Sequence, residues 1–208
     1  MDKSDMSLYY ANRPNFRFGD YLAWSGVTMI DDAIKLKTES DRPQYEKDHG
    51  INVSHSSLLI RFPLYQGLED RMWTTEAVGD GTVLHLLSND LSGFNGQLWW
   101  YPLKDDIGTD AFRRSVGTLA FEYIGLPYDY TGLFEELITN VTVQTKKLFC
   151  SMYVQLVYFG QKAIGQKALV PNNVPTLGIF KEPVLIFNNP MPYVPGADIV
   201  SPPPNTGS

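Results

Sequence analysis

An α+β fold built around an antiparallel sheet is what this chain predicts, and three observations carry that expectation. Short runs of strand composition crowd between residues 56 and 103, two of them joined by the turn sequence Gly79-Asp80-Gly81. Beyond residue 110 the apolar period changes from two to three and four residues, as helices require. The run Leu148-Phe149-Cys150-Ser151-Met152-Tyr153-Val154-Gln155-Leu156-Val157-Tyr158 is apolar over most of its circumference, which marks a central, buried helix.

Taken in order, Phe16 to Trp24 alternates around Gly19-Asp20, a turn feeding a short strand. Thr28 to Leu36 spaces Met29 or Ile30, Ala33 and Ile34 as a short amphipathic helix with Thr28 as its cap. Thr38 to Gly50 is polar and charged and reads as a loop. Strands are expected over Ser56–Phe62, Arg71–Val78 and Thr82–Leu87, with a fourth over Gln97–Leu103 that carries Trp99-Trp100-Tyr101. Asp110 to Ile124 places Phe112, Val116, Leu119, Ala120 and Tyr123 on one helical side and stops at Gly125 ahead of Pro127. A further short helix over Thr131–Thr139, the Cys150 helix and a last strand over Val184–Phe187 complete the series. From Asn189 to Ser208 the prolines at 190, 192, 195, 202, 203 and 204 remove backbone donors, so a domain over 1–188 is followed by an extended or disordered tail, 189–208.

Composition narrows the function classes. With 208 residues, 43% of them hydrophobic, the chain can bury one proper core. A formal net charge of −6 supplies no positive field for nucleic acid or an anionic membrane, so neither is an expected partner. The polar N-terminus lacks the apolar stretch of a secretory signal, and no run approaches the roughly 18 to 20 apolar residues that span a bilayer. The expectation is a soluble, intracellular protein, which a single cysteine fits. On that expectation the sequons at Asn52 and Asn140 carry no sugar.

Cys150 stands at the head of its helix, facing the positive end of the dipole, a setting in which thiolate nucleophiles occur. Read alone it is either a small buried hydrophobe or a nucleophile, and the second reading needs a base and a group to orient it. Of the three histidines, His49 lies in the charged loop and reads as solvated, and His85 sits within a strand as a core or surface residue. His55 differs, because Ser54, Ser56 and Ser57 flank it at the start of a buried strand and leave room for a thiol and a substrate. Glu76 interrupts an otherwise apolar, threonine-rich strand and is either an edge acid or the group that holds the His55 ring. Asp20 is either a functional acid or a turn residue bonded to nearby backbone, and Tyr128 either lines a cleft or belongs to the Leu126-Pro127-Tyr128-Asp129 turn.

The ordered set Phe18-Gly19-Asp20-Tyr21-Leu22, Ser54-His55-Ser56-Ser57-Leu58-Leu59-Ile60, Thr75-Glu76-Ala77, Gly125-Leu126-Pro127-Tyr128-Asp129-Tyr130 and Phe149-Cys150-Ser151 resembles the YiiX-like permuted papain-like amidases of the NlpC-type cysteine peptidase superfamily. The likeness spans about residues 16 to 160, and His55 precedes Cys150, as circular permutation of a papain-like chain requires. The resemblance implies a papain-like fold with a barrel-like antiparallel sheet packed on the helix that bears the nucleophile. It implies Cys150 as nucleophile, His55 as general base and Glu76 as the orienting residue; Tyr128, Asp20, Ser54 and Ser56 are the residues expected near the substrate. It also implies hydrolysis of a peptide-like amide, as in cell-wall peptides, or acyl transfer and hydrolysis of lipid esters or thioesters by the same thiol, without metal or cofactor. A binding or structural protein on the same scaffold is the third reading. The chain departs from the pattern at Phe149, where such proteins often carry Tyr, and at Met152, where they often carry Glu.

Overall fold

A computed structural model describes residues 6–40, 42–62, 71–133, 141–143 and 146–189. Six strands form one antiparallel sheet: β1 (Tyr21–Gly26), β2 (His55–Arg61), β3 (Met72–Val78), β4 (Gly81–Leu86), β5 (Gly96–Tyr101) and β6 (Val184–Asn189), in the order β4-β3-β2-β1-β5-β6. The sheet is open and not barrel-like, because β4 and β6 lie at opposite edges. That corrects the barrel-like expectation while leaving the mixed α and β class and the antiparallel pairing in place.

Side-chain alternation divides the sheet into two apolar faces. Tyr21, Ala23, Leu58 and Ala77 join a core with the Cys150 helix, α6 (Cys150–Phe159), and with α5 (Asp110–Glu122). Leu22, Trp24, Leu59 and Met72 face the other way, toward α1 (Ser7–Asn12) and α4 (Leu87–Gly93). Two-sided cover explains why β2 is buried without alternation from Ser56 to Ile60. Two short helices, α2 (Met29–Thr38) and α3 (Gln44–Asp48), lie in the crossing from β1 to β2. Thr28 and Asp31 form a reciprocal capping box at the start of α2.

Two helices depart from the sequence expectation. The segment read as a loop contains α3, which buries Glu46, and the segment between β4 and β5 contains α4, anchored by buried Leu87 and Leu91. Both are short and polar, so tertiary packing and not propensity holds them. Of the helix expected over Thr131–Thr139, only residues 131–133 are described, and they are helical; residues 134–139 lie outside the described set. The proline-rich tail likewise lies outside it from Pro190 on, and Asn189 belongs to β6.

The β3–β4 hairpin positions the rest of the site. Gly81 takes φ +109, and a Cβ there would stand 2.6 Å from the Leu126 carbonyl oxygen, so the turn needs glycine. That closeness lets Thr82 N donate to Leu126 O at 2.8 Å, while Gly125 N donates to Thr82 O at 2.8 Å. On its other side the same segment is tied to the start of α6, where Leu148 N donates to Pro127 O at 3.2 Å and Asp129 N to Leu148 O at 3.0 Å. Tyr128 is thereby held between the hairpin and the cysteine.

Candidate active site

Cys150 is the first residue of α6, and Phe149, in the capping position, offers no side-chain cap. Tyr153 N donates to Phe149 O at 2.9 Å, so the amides of Cys150, Ser151 and Met152 precede the first intrahelical bond and point toward the helix start. The thiol is 2% exposed.

His55 opens β2 at the rim of the sheet, pairing with Trp24 of β1. Its Nε2 lies 2.5 Å from Glu76 Oε2 on the neighbouring strand β3. Cys150 lies close enough to the same ring to bear on its ionisation, and with Nε2 engaged by Glu76, Nδ1 is the ring nitrogen left over. Burial works against a charged His55, but the adjoining Cys150 and Glu76 outweigh it and hold the ring's pKa well above the ordinary histidine value. Burial would raise the Glu76 carboxyl too; hydrogen bonds from His55 and His85 instead bring it down to about 2. The arrangement therefore favours a protonated His55 with a charged carboxylate behind it.

Tyr128 lies close enough to Cys150 for a negative thiolate to disfavour its own ionisation, and its ring meets Tyr130 at 4.8 Å, edge to face. The other residues expected near substrate are placed elsewhere. Ser54 Oγ accepts from Gly26 N at 3.1 Å and donates to Trp24 O at 3.2 Å. Ser56 Oγ bonds the Tyr21 hydroxyl at 2.9 Å, and both serines are buried. Asp20 is a framework acid: fully buried, it accepts from Arg113 Nη1 at 2.9 Å, Trp100 Nε1 at 2.9 Å, Leu103 N at 3.2 Å and Arg17 N at 3.1 Å. Small size let Ser54 and Ser56 sit between strands, and that same fit removes them from any cleft. His49 is exposed, stacked on Tyr45 at 4.1 Å.

A cavity of about 390 Å³ adjoins the pair from the α4 side, lined by Trp24, Phe94, Asp31 and Asp90 together with His55 and Glu76. Cys150 is not in its wall. Neither is Trp99 or Trp100.

Sequence reasoning missed His85 and Asp90. Nδ1 of His85 stands 3.4 Å from Glu76 Oε1 and 3.6 Å from Asp90 Oδ1, and Thr74 Oγ1 donates to Asp90 Oδ2 at 2.9 Å. The hairpin register, Val78↔Gly81 through Thr74↔His85, was the available signal, since it puts His85 on the Glu76 face. One donor atom from each of Glu76, His85 and Asp90 falls within 4.8 Å of the others, a span that could admit a cation. The histidine already stands between the two carboxylates as their positive partner, so charge pairing within the protein accounts for the group.

Among the described residues, no helix is long and apolar enough to cross a membrane. No protein-family model matches the chain, and no curated protein matches it significantly. Among solved structures it is similar to the crystal structure of the metalloprotein yiiX from Escherichia coli O157:H7, DUF1105, at 20% sequence identity and a TM-score of 0.49, over 73% of this chain and 68% of that one.

Proposed function

We propose that the protein is a cysteine-dependent hydrolase of a peptide-like amide, with Cys150 as nucleophile, His55 as general base and acid, and Glu76 as the orienting carboxylate. One observation carries this reading: a single histidine ring lies between a helix-terminal thiol and a buried carboxylate 2.5 Å from its Nε2. The permuted papain-like resemblance of the motifs around these residues agrees with it.

In the proposed cycle the Cys150 thiolate attacks the amide carbon, a C–S bond forms, and the carbonyl electrons move onto oxygen. The amides at the start of α6, which precede its first intrahelical bond, are the donors available to that oxyanion. As the tetrahedral species collapses, the C–N bond breaks and His55 gives its proton to the departing amine. Water then adds to the thioester with His55 taking its proton, the C–S bond breaks, and the acid leaves. An acyl carbon must come within about 3 to 3.5 Å of sulfur. Because Cys150 is 2% exposed, a covering side chain has to swing aside before an acyl carbon can reach it.

Iodoacetamide alkylation across pH 4 to 9, read by intact mass, tests the ion pair. A rate at neutral pH at least ~10-fold above that of a free cysteine, lost in His55→Ala, is expected. Alkylation no faster than that of the free thiol would leave a buried structural cysteine as the better account. Cys150→Ala should abolish turnover of an amide substrate and leave the fold intact.

A further inference from the structure

The most unusual feature around Glu76 is that both its oxygens face histidines. Oε2 faces His55 Nε2 at 2.5 Å, and Oε1 faces His85 Nδ1 at 3.4 Å. The His85 ring also has an acid beside it on α4, where Asp90 Oδ1 stands 3.6 Å away and Thr74 Oγ1 donates to the other Asp90 oxygen at 2.9 Å. Thr74 Oγ1 also lies 3.5 Å from Glu76 Oε1, so threonine, two carboxylates and histidine form one connected group spanning β3, β4 and α4.

We infer that His85 is a positioning residue for the proposed reaction: by anchoring Glu76 Oε1 from β4, it holds the carboxylate in the one orientation that presents Oε2 to His55. The inference rests on the Cys150–His55–Glu76 reading above. Glu76 needs such an anchor, because it reaches His55 across the strand pair on a side chain with three rotatable torsions. A carboxylate bonded at one oxygen alone could rotate away and release the His55 tautomer.

The charges are consistent with this role. His85 stands beside Glu76 of β3 and Asp90 of α4 and feels the charge of Asp80 in the hairpin turn, all acids. Its bond to Glu76 first of all, and then the field of the three acids, outweighs partial burial and raises its pKa above the ordinary histidine value. A protonated ring donates to Glu76 and offsets one negative charge in a group where Glu76 and Asp90 otherwise repel. With 44% of its side chain exposed, His85 keeps one edge in water and is dispensable for packing.

The test compares wild type, His85→Gln and His85→Ala by iodoacetamide alkylation of Cys150 over pH 4 to 9, in EDTA and again with added Zn²⁺, alongside the NMR signal of the His55 Nε2 proton. Gln keeps a donor to Glu76 without the charge, and Ala removes both. Expected is a fall in the neutral-pH alkylation rate of about 3- to 10-fold in His85→Ala, with recovery of most of it in His85→Gln. Both limbs of the profile should move to higher pH in both variants, because a positive charge has gone, and the downfield His55 proton should broaden or shift only in His85→Ala. Superimposable rates and proton signals in the three proteins would overturn the inference while leaving fast alkylation, and so the catalytic reading, intact. Slow alkylation already in wild type would instead sink the catalytic reading. A wild-type profile altered by Zn²⁺ and restored by EDTA, with no effect in His85→Ala, would make the group a metal site and overturn the anchor.

Discussion

Glu46 offers a test of the fold that is independent of catalysis. It sits on α3 with 1% of its surface exposed, and its Oε1 accepts from the Tyr101 hydroxyl at 2.7 Å. Its Oε2 is buried with no hydrogen-bond partner among the described residues. Burial pushes the carboxyl up from 4.5 to about 7, against the Tyr101 bond and the Arg42 charge, which both lower it. The folded protein therefore binds this proton more tightly than the unfolded chain, and stability falls as pH rises through that window. From 4.5 to about 7, at about 1.4 kcal/mol per pH unit, the loss comes to about 3 kcal/mol. Glu46→Gln mimics the protonated acid: it keeps the acceptor for Tyr101 and removes the charge. Urea unfolding at pH 4, 6 and 8 should find the two proteins equal at pH 4 and the Gln variant more stable by about 3 kcal/mol at pH 8. Other titrating groups are common to both proteins and cancel in the difference. A gap that stays constant across pH would refute the reasoning, since an ionisation cost must vanish where the acid is neutral.

Two further outcomes follow from buried charges. Asp20→Ala should cost about 3 to 5 kcal/mol in urea unfolding, because it strands Arg113, whose side chain is 8% exposed, without its carboxylate; Arg113→Met with Asp20→Asn should recover much of the loss. Glu76 has the opposite sign to Glu46: its carboxyl is depressed from 4.5 to about 2, so its stabilisation is full above pH 4.5 and disappears on acidification toward pH 2. Glu76→Gln should flatten that part of the stability–pH curve, by an amount on the order of 3 kcal/mol, and a curve as steep as wild type would count against the ion pair.

How much of this was legible in the sequence depends on whether a residue's partner lies on a recognisable element. The strands, the cap at Thr28 and the end of a helix ahead of Gly125 announce themselves through local chemistry; the structure has the strands and the cap, and ends α5 slightly earlier, at Glu122. Asp20 was seen but read as a turn or a functional acid, because its partners Trp100, Leu103 and Arg113 are 80 or more positions away. Glu46 and Asp90 were invisible for a different reason: α3 and α4 are short helices of poor propensity that exist only because the sheet gives them a surface. His85 lies between these cases. The glycines flanking Asp80 promise a tight turn, a tight turn sets the β3–β4 register, and that register puts His85 beside Thr74, on the face that Glu76 shares. The step missing from sequence was to follow the hairpin two pairs further from Glu76, from Glu76↔Val83 to Thr74↔His85. Taken, it changes the chemistry that the carboxylate can do: an acid bonded to one histidine orients it, while an acid held by a second histidine from behind orients it in a fixed direction, and that difference is what the His85 variants measure.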